Sequence, residues 1–309
     1  MVHIAAIEYA LPATARTVEE LAREGRLVSD PAALREFGFD RAWIDDGEGE
    51  TLATRAAAAV LEQTARDPAT IDIVVYAGAA PGSHAVRDGL LGGFSYPVAR
   101  LQYDLGLVNS RAIGVSQVGC LGLMTAVSLA RTFLRANASA RSVLCVSSDV
   151  LPAGSRREVL FNLISDGACA VLVERGDGAN RLVAERTVTK GYYWDCDARG
   201  NEIVAAYFPT ARAIILETLA ENGIGAGDLA WVIPHNVSRR SWDILLQLVG
   251  LPADRLFADN IPAKGHVIGG DNFINLKDAQ SSGRLQAGDR LLLFNFGFGA
   301  SWATLLIEH

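Results

Sequence analysis

Short apolar runs rich in β-branched residues alternate along this chain with longer segments of helical spacing. Buried strands are typically about four to eight residues long, whereas helices need more than about ten, with apolar positions three or four apart. Thr17 followed by Glu20 is typical of a capping box at a helix start. The first half therefore predicts strands at 2–7, 71–79, 112–118, 142–149 and 167–174, and helices at 17–24, 53–66, 96–106 and 121–136.

The second half repeats this order of elements. In both halves a buried strand and a helix precede a glycine-rich bend into another helix and two closing strands, although residue identity between the halves is negligible. An α/β fold built from two duplicated β/α halves is the simplest interpretation. The second half predicts helices at 208–222 and 238–249, a glycine-rich entry into the helix FINLKDAQSSG, and strands at 229–235, 290–296 and 300–308.

A stretch of nineteen residues, Ala112–Ala130, carries no charge and lies between Arg111 and Arg131. Its length suits a membrane span. Its glycines, serines and Gln117 argue against one, and its two halves differ in pattern. A helix without a polar face must be covered on all sides. The stretch therefore predicts a core strand followed by a core helix.

Composition narrows the class of protein. The chain has 309 residues, half of them hydrophobic, a mean hydropathy of +0.20, a net charge of −7 and a pI near 5.3. A strong acidic balance disfavours nucleic-acid binding. The N-terminal residues contain no basic region, so we expect no signal peptide and a cytoplasmic, reduced protein. The four cysteines, at 120, 145, 169 and 196, form neither metal-like pairs nor a disulfide framework.

Cys120 is the candidate nucleophile. It lies in VGCLG, where a predicted strand passes into a predicted helix. Free amide groups and the helix dipole at such a junction favour the thiolate. The alternative is a small buried hydrophobic residue, the usual fate of a free cysteine. That alternative suits Cys145 and Cys169 in strand cores, and Cys196 in a polar loop, better than it suits Cys120.

A nucleophilic cysteine needs a base, and the chain has five histidines. His3 lies in the first strand, His84 in a loop and His309 at the C-terminus. His235 ends the strand WVIPH, and His266 lies in KGHVIGGD. These two occupy junctions of the second half, where the active sites of layered α/β proteins gather. They are the candidate bases.

Together these residues resemble the thiolase-fold condensing enzymes, and most closely the β-ketoacyl-acyl-carrier-protein synthase III group with its acyltransferase relatives. The resemblance spans nearly the whole chain and rests on five ordered motifs: ETLATRAAAAVLEQ, VGCLG, ISDGACAVLV, IPHNVSRR and FGFGASWATLL. It implies a five-layer αβαβα fold with an N-terminal half at 1–175, carrying the nucleophile, and a C-terminal half at 176–309, carrying the histidines. It also implies a cytoplasmic homodimer.

The resemblance further implies a chemistry. An acyl group is carried as a thioester on Cys120, with acyl-CoA or an acyl carrier protein as donor, so the phosphopantetheine thioester is a substrate and no bound cofactor or metal is expected. The backbone amides of Cys120 and Phe298 form the oxyanion hole. Arg240, with Arg239 beside it, meets the donor or carrier side, unless both simply form a solvated helix face. Tyr192, Tyr193 and Trp194 lie in a loop expected to cover the entrance, and 82–95 is expected near the dimer interface and acyl pocket.

The third catalytic position departs from the family pattern. The family usually has Asn there, whereas this chain has His266 in GHVIGGDNFINL. Asp271 either orients a histidine, helps to activate the acceptor, or caps a helix. We expect acyl transfer to a carrier thiol, hydroxyl or amine in a specialised, polyketide-type pathway. The alternative is decarboxylative condensation by a Cys-His-His set, and a non-catalytic partner subunit or a cysteine hydrolase fits less well.

Overall fold

The computed structural model describes residues 1–45, 49–79, 96–160 and 162–309, with the backbone alone at 49–51; the segment 82–95 lies outside them. The strands are β1 (Val2–Ala10), β2 (Thr14–Thr17), β3 (Arg41–Ile44), β4 (Ile73–Ala77), β5 (Arg111–Val115), β6 (Ser142–Asp149), β7 (Glu158–Val159), β8 (Asn162–Leu163), β9 (Gly167–Arg175), β10 (Arg181–Thr189), β11 (Trp231–Ile233), β12 (Arg290–Gly297) and β13 (Ser301–Glu308). The helices are α1 (Val18–Arg23), α2 (Pro31–Glu36), α3 (Gly49–Gln63), α4 (Pro97–Asp104), α5 (Gly122–Ala136), α6 (Gly200–Glu221), α7 (Arg239–Val249), α8 (Asn260–Lys264) and α9 (Asp271–Ser281).

One large sheet joins the two halves. Within the described ranges its strand order is β11-β12-β13-β10-β1-β9-β6-β4-β5. Strand β1 meets β10 at a single pair, His3 and Arg181, so the sheet divides there into two sets. In each set a strand with a parallel neighbour, β6 or β12, is followed by an antiparallel partner, β9 or β13. This topology confirms the duplication predicted from element order.

The helices and strands form five layers. Helix α3 packs on the outer face of the first set of strands, with Leu144 and Leu172. Helices α5 and α9 share a central core with the inner faces of both sets. Helices α6 and α7 pack on the outer face of the second set, around Phe294 and Trp302. The order helix, sheet, helix, sheet, helix is the expected αβαβα arrangement.

The uncharged stretch is a core helix but not a core strand. Helix α5 buries Leu123, Met124, Val127 and Leu134, as predicted. Strand β5 instead lies at the end of the sheet and is partly or fully exposed along its length. Within the part of the chain that the structure describes, no strand pairs with its outer edge. After Arg111 this edge carries no charge, which is unusual because exposed edges invite pairing with another chain.

Helix α6 begins at Gly200, eight residues before the predicted start at 208. The predicted start lies one residue before Pro209, and this proline lies inside the observed helix. Its ring is exposed, so the carbonyl that loses its partner can be hydrated. With 22 residues and a hydropathy of 1.4, α6 is long and apolar enough to span a membrane. Core helices pass the same test, and α6 packs through Ile214, Ile215 and Leu219 against the outer face of the sheet.

Candidate active site

Cys120 lies in a sharp turn between β5 and α5. Gln117 and Gly119 both have positive φ, of 67° and 54°, and a 3₁₀ turn over Gly119–Leu121 leads into the helix. A Cβ on Gly119 would lie 2.8 Å from the backbone N and O of Phe298, so only glycine fits there. The turn leaves Cys120 partly exposed at the start of α5, whereas Cys145 and Cys169 are buried.

His266 lies next to the Cys120 sulfur. The distance from Cys120 Sγ to His266 Nε2 is 3.3 Å. The histidine backbone is held on both sides, because its N–H donates to Leu163 O at 2.8 Å and its carbonyl accepts from Ser165 N at 2.9 Å. The side chain is buried. Two residues far apart in sequence therefore form a fixed thiol–imidazole pair.

Asp271 holds the other side of the His266 ring. Its Oδ2 lies 2.5 Å from His266 Nδ1 and accepts from Asn236 N at 2.5 Å, while Oδ1 accepts from Val267 N at 2.6 Å. Asp271 is the first residue of α9, and the cap position, Gly270, makes no side-chain cap hydrogen bond. The helix-cap interpretation of Asp271 is therefore wrong. The carboxylate orients the histidine instead.

The contacts of His266 with Asp271 and Cys120 determine the pKa of its imidazole. Burial alone lowers the pKa of His266, but the Asp271 carboxylate and the Cys120 sulfur together outweigh burial and raise this pKa well above its usual value. A protonated imidazole beside a sulfur stabilises the thiolate, the form that acts as a nucleophile. The arrangement therefore places a cationic imidazole against the candidate nucleophile.

His235 lies in a different environment. It is buried, and the ring centroids of His235 and His266 are 6.3 Å apart. Burial first, and then the charge of His266, lower the pKa of His235 to about 3, against a hydrogen bond to Phe294 that raises it. His235 is therefore neutral at pH 7. Of the pair His235 and His266, only the second carries a positive charge.

The tautomer of His235 follows from its partner. Nδ1 lies 3.3 Å from the carbonyl oxygen of Phe294, which can only accept, so Nδ1 carries the single hydrogen. Nε2 then presents a lone pair. Within the described residues this buried nitrogen has no hydrogen-bond partner. It can accept a hydrogen bond from a bound molecule but cannot donate one.

The two amides expected to form the oxyanion hole lie close together. Gly119, adjacent to Cys120, approaches Phe298 N as described above, and a Cβ on Gly297 would lie 3.0 Å from Cys120 N. The loop carrying Phe298 and Gly299 is also tied to the predicted entrance loop, since Gly299 N donates to Cys196 Sγ at 3.2 Å. In that entrance loop, Tyr192 and Trp194 are 59% and 77% exposed.

The two arginines on α7 differ. Arg239 is paired with Asp243, one helical turn away, at 2.9 Å, and its backbone N–H donates to Phe37 O. Arg240 is exposed, and no ion pair within the described ranges involves it. Of the two, Arg240 is the cation available to an incoming group. Arg240 is also the residue that the family resemblance singles out.

A set of buried asparagines around the site was not predicted. Asn295 donates to Cys120 O at 2.9 Å, and Asn272 donates to Ile233 O and Phe294 O. Asn236 and Asn275 bridge the segments that carry His235 and His266. The sequence signal is that DNFINL alternates polar and apolar residues at the start of α9. No cluster of three or more metal-ligating side chains occurs in the described part of the chain.

Two models of known protein families match this chain. The family model described as 3-oxoacyl-[acyl-carrier-protein (ACP)] synthase III C terminal matches residues 219–309. The model described as 3-oxoacyl-[ACP] synthase III matches residues 116–191. The two segments cover more than half of the chain and include Cys120, His235, His266 and Asp271.

Individual proteins with similar names resemble this chain over most of its length. The β-ketoacyl-[acyl-carrier-protein] synthase III of Gloeobacter violaceus is 27% identical over 282 residues, 82% of each chain. The crystal structure of 3-oxoacyl-[acyl-carrier-protein] synthase III from Aquifex aeolicus superimposes with a TM-score of 0.85 at 20% identity over 100% of both chains. The acyltransferase ChlB3 gives 0.84 at 22% identity, over 99% of this chain and 97% of that one. Both structures share the fold, and with the two family matches they show that the chain belongs to the β-ketoacyl-acyl-carrier-protein synthase III-like family of thiolase-fold condensing enzymes.

Proposed function

We propose that this protein is an acyltransferase that takes an acyl group from a CoA or carrier-protein thioester onto Cys120 and passes it to a carrier thiol, a hydroxyl or an amine. The observation that carries the proposal is the continuous Cys120–His266–Asp271 line, with contacts of 3.3 and 2.5 Å. A cysteine paired with a base that a third group orients is the general arrangement of covalent acyl transfer.

In the first step the Cys120 thiolate attacks the donor carbonyl. The amides of Cys120 and Phe298 stabilise the oxyanion, the donor carbon–sulfur bond breaks, and the departing thiolate takes the proton of His266. The product is a thioester on Cys120 beside a neutral His266. Asp271 keeps that imidazole basic and correctly oriented.

In the second step the acceptor loses its proton to His266 and attacks the Cys120 thioester. The acceptor's bond to the acyl carbon forms, the Cys120 carbon–sulfur bond breaks, and the thiolate–imidazolium pair is restored. When the acceptor is an amine, the His235 Nε2 lone pair accepts a hydrogen bond from its second N–H; a thiol or hydroxyl has a single hydrogen, and that hydrogen passes to His266. Its low pKa makes His235 a poor base at neutral pH, so His266 takes the proton.

The second candidate is decarboxylative condensation, as in the enzymes after which the family is named. Its support is the name shared by relatives such as the Gloeobacter protein, and the solved tetronic acid condensing enzyme AbyA1. Condensation needs hydrogen-bond donors at the carbonyl of the malonyl group, where negative charge develops. A neutral His235 whose hydrogen faces Phe294 offers no such donor, so we favour simple transfer.

Mass spectrometry of the intact protein tests the acyl-enzyme. Incubation with butyryl-CoA or a butyryl carrier protein should add one butyryl group to the native protein and none to Cys120→Ala. Addition of N-acetylcysteamine as an acceptor thiol should remove the group and yield the new thioester. A native protein that is never acylated would indicate a non-catalytic subunit, and release of free butyrate alone would indicate a hydrolase; either result contradicts the proposal.

A further inference from the structure

Helix α9 buries three polar side chains in the centre of the molecule. Asp271, Asn272 and Asn275 are 0%, 1% and 0% exposed, whereas the neighbouring Phe273, Ile274 and Leu276 are apolar. At 100° per residue the three polar positions fall within one third of the helix circumference. A buried amide costs free energy unless it is hydrogen-bonded. Their common face is the one directed at the two histidine segments.

Asn275 reaches the segment of His235. Its Nδ2 donates to the carbonyl of Pro234, the residue before His235, at 2.8 Å and to Asn236 Oδ1, in the residue after it, at 2.8 Å. Its own Oδ1 accepts from Asn260 Nδ2 of α8 at 2.8 Å. The Asn275 amide thus makes one hydrogen bond to a backbone carbonyl and two to asparagine side chains.

Asn236 continues the connection to the segment of His266. Its Nδ2 donates to the carbonyl of Gly265, the residue before His266, at 2.9 Å. Its backbone N–H donates to Asp271 Oδ2, the same oxygen that contacts His266. Asn260, Asn275 and Asn236 thus form an asparagine bridge. The bridge touches a residue next to each histidine and neither imidazole ring.

We propose that Asn275 is a positioning residue that fixes the His235 segment against the His266–Asp271 segment. The inference rests on the proposed function for what the positioned groups do. An apolar side chain of equal size would satisfy packing in α9 but would leave the Pro234 carbonyl without this donor. The Asn236 side chain would keep its bond to Gly265 and lose the one to Asn275. The imidazole of His266 would then be held less firmly against Cys120.

Two readouts test this, and one does not depend on acyl transfer. In Asn275→Leu, the pH profile of Cys120 alkylation by iodoacetamide should shift to higher pH, because a loosened imidazolium stabilises the thiolate less. The kcat for transfer from butyryl-CoA to N-acetylcysteamine should fall roughly ten- to a hundredfold with little change in KM, as expected when reacting groups are misplaced.

A second variant, Asn275→Asp, should lose activity per folded molecule as pH rises. The ionised carboxylate would face two oxygens, those of Pro234 and Asn236, and could no longer donate a hydrogen bond to either.

Thr218→Val is the matched control. Thr218 is buried in α6 and bonds to Thr304 at 2.6 Å and to Ile214 O, and neither bond involves a histidine or the asparagine bridge, so this variant also loses a buried hydrogen bond. It should unfold more easily but keep the native alkylation profile and kcat. An Asn275 variant that folds, with a native profile and native kcat, overturns the inference. If the native protein transfers no acyl group, the proposed function fails, while the alkylation profiles still decide the positioning role.

Discussion

Two histidines of the same site acquire opposite properties from their surroundings. His266 gains a carboxylate on one nitrogen and a sulfur on the other, and its pKa rises. His235 is buried against Phe294 and Trp242 and faces the charge of its neighbour, and its pKa falls to about 3. Neighbouring groups, and not residue type, decide which histidine handles the proton.

Replacing Asp271 with Asn tests that division of roles. The substitution keeps the shape but removes the negative charge, so the pKa of His266 should fall and the imidazole should be neutral over more of the pH range. The Cys120 thiolate then loses its paired cation at neutral pH. Alkylation of Cys120 should therefore require a higher pH, and kcat for transfer should fall by about a hundredfold or more.

Cys196 provides an internal control in the same samples. It is partly exposed, and its sulfur contacts Gly299 N and Tyr193 O and not a histidine. Its alkylation, followed by peptide mass spectrometry, should be the same in the native protein and in Asp271→Asn. Equal profiles for Cys120 in the two proteins would show that Asp271 does not tune the pair.

Helix α7 has two arginines, and within the described residues one of them has no ion-pair partner. Arg239 is engaged by Asp243, whereas Arg240 is exposed. Carrier proteins are acidic, so Arg240→Glu should raise KM for a butyryl carrier protein, while butyryl-N-acetylcysteamine should be used as before. A rim charge is worth about 1 kcal/mol, so the effect should be roughly fivefold at low salt and smaller at high salt.

Arg239→Glu is the comparison on the same helix. Because Arg239 already has a partner and donates its backbone N–H to Phe37, its reversal should cost stability more than donor recognition. Equal losses with the carrier-protein donor and the small donor in Arg240→Glu would assign that residue a structural role.

At the scale of the whole molecule, the outer edge of β5 carries no charge after Arg111, and an edge of this kind favours pairing with a second copy. Positions 111, 112 and 114 are exposed, and Tyr103 and Val108 nearby are 83% and 75% exposed. We propose a homodimer through this edge, with a mass of twice 32.9 kDa by light scattering. Gly114→Glu should give a monomer. A Cβ there meets nothing within 4 Å, so the protomer should tolerate the change.

Val204→Glu, an equal charge change at an exposed position of α6, should leave the dimer intact. A native protein that is monomeric at micromolar concentration would contradict the proposed association, as would a Gly114→Glu variant that is still dimeric.

The sequence predicted the elements whose residues carry their own signal. Strand β6 was predicted at its observed bounds because SVLCVSSD is a continuous run of buried positions. The capping box at Thr17 is present as expected. Strand β10 was not predicted because Arg181, Glu185 and Arg186 interrupt its apolar pattern.

The site was predictable only as far as its residues are chemically distinctive. Cys120, His235 and His266 were identified as candidates because few residues of their types occur in the chain. The function of Asp271 remained open, since its contacts with Val267 and Asn236 depend on the tertiary fold. The asparagine bridge joins residues 29 and 39 positions apart, and no local pattern predicts such contacts.

The central claim is transfer without decarboxylation, and measurement of carbon dioxide during turnover tests it most directly. Butyrylated native protein is mixed with malonyl-CoA or a malonyl carrier protein labelled in the free carboxyl group, together with N-acetylcysteamine, and Cys120→Ala serves as the control. We predict that butyryl-N-acetylcysteamine forms while labelled carbon dioxide stays at the level of the control. Release of carbon dioxide in equal amounts with a β-ketoacyl product would contradict the account and establish a condensing enzyme.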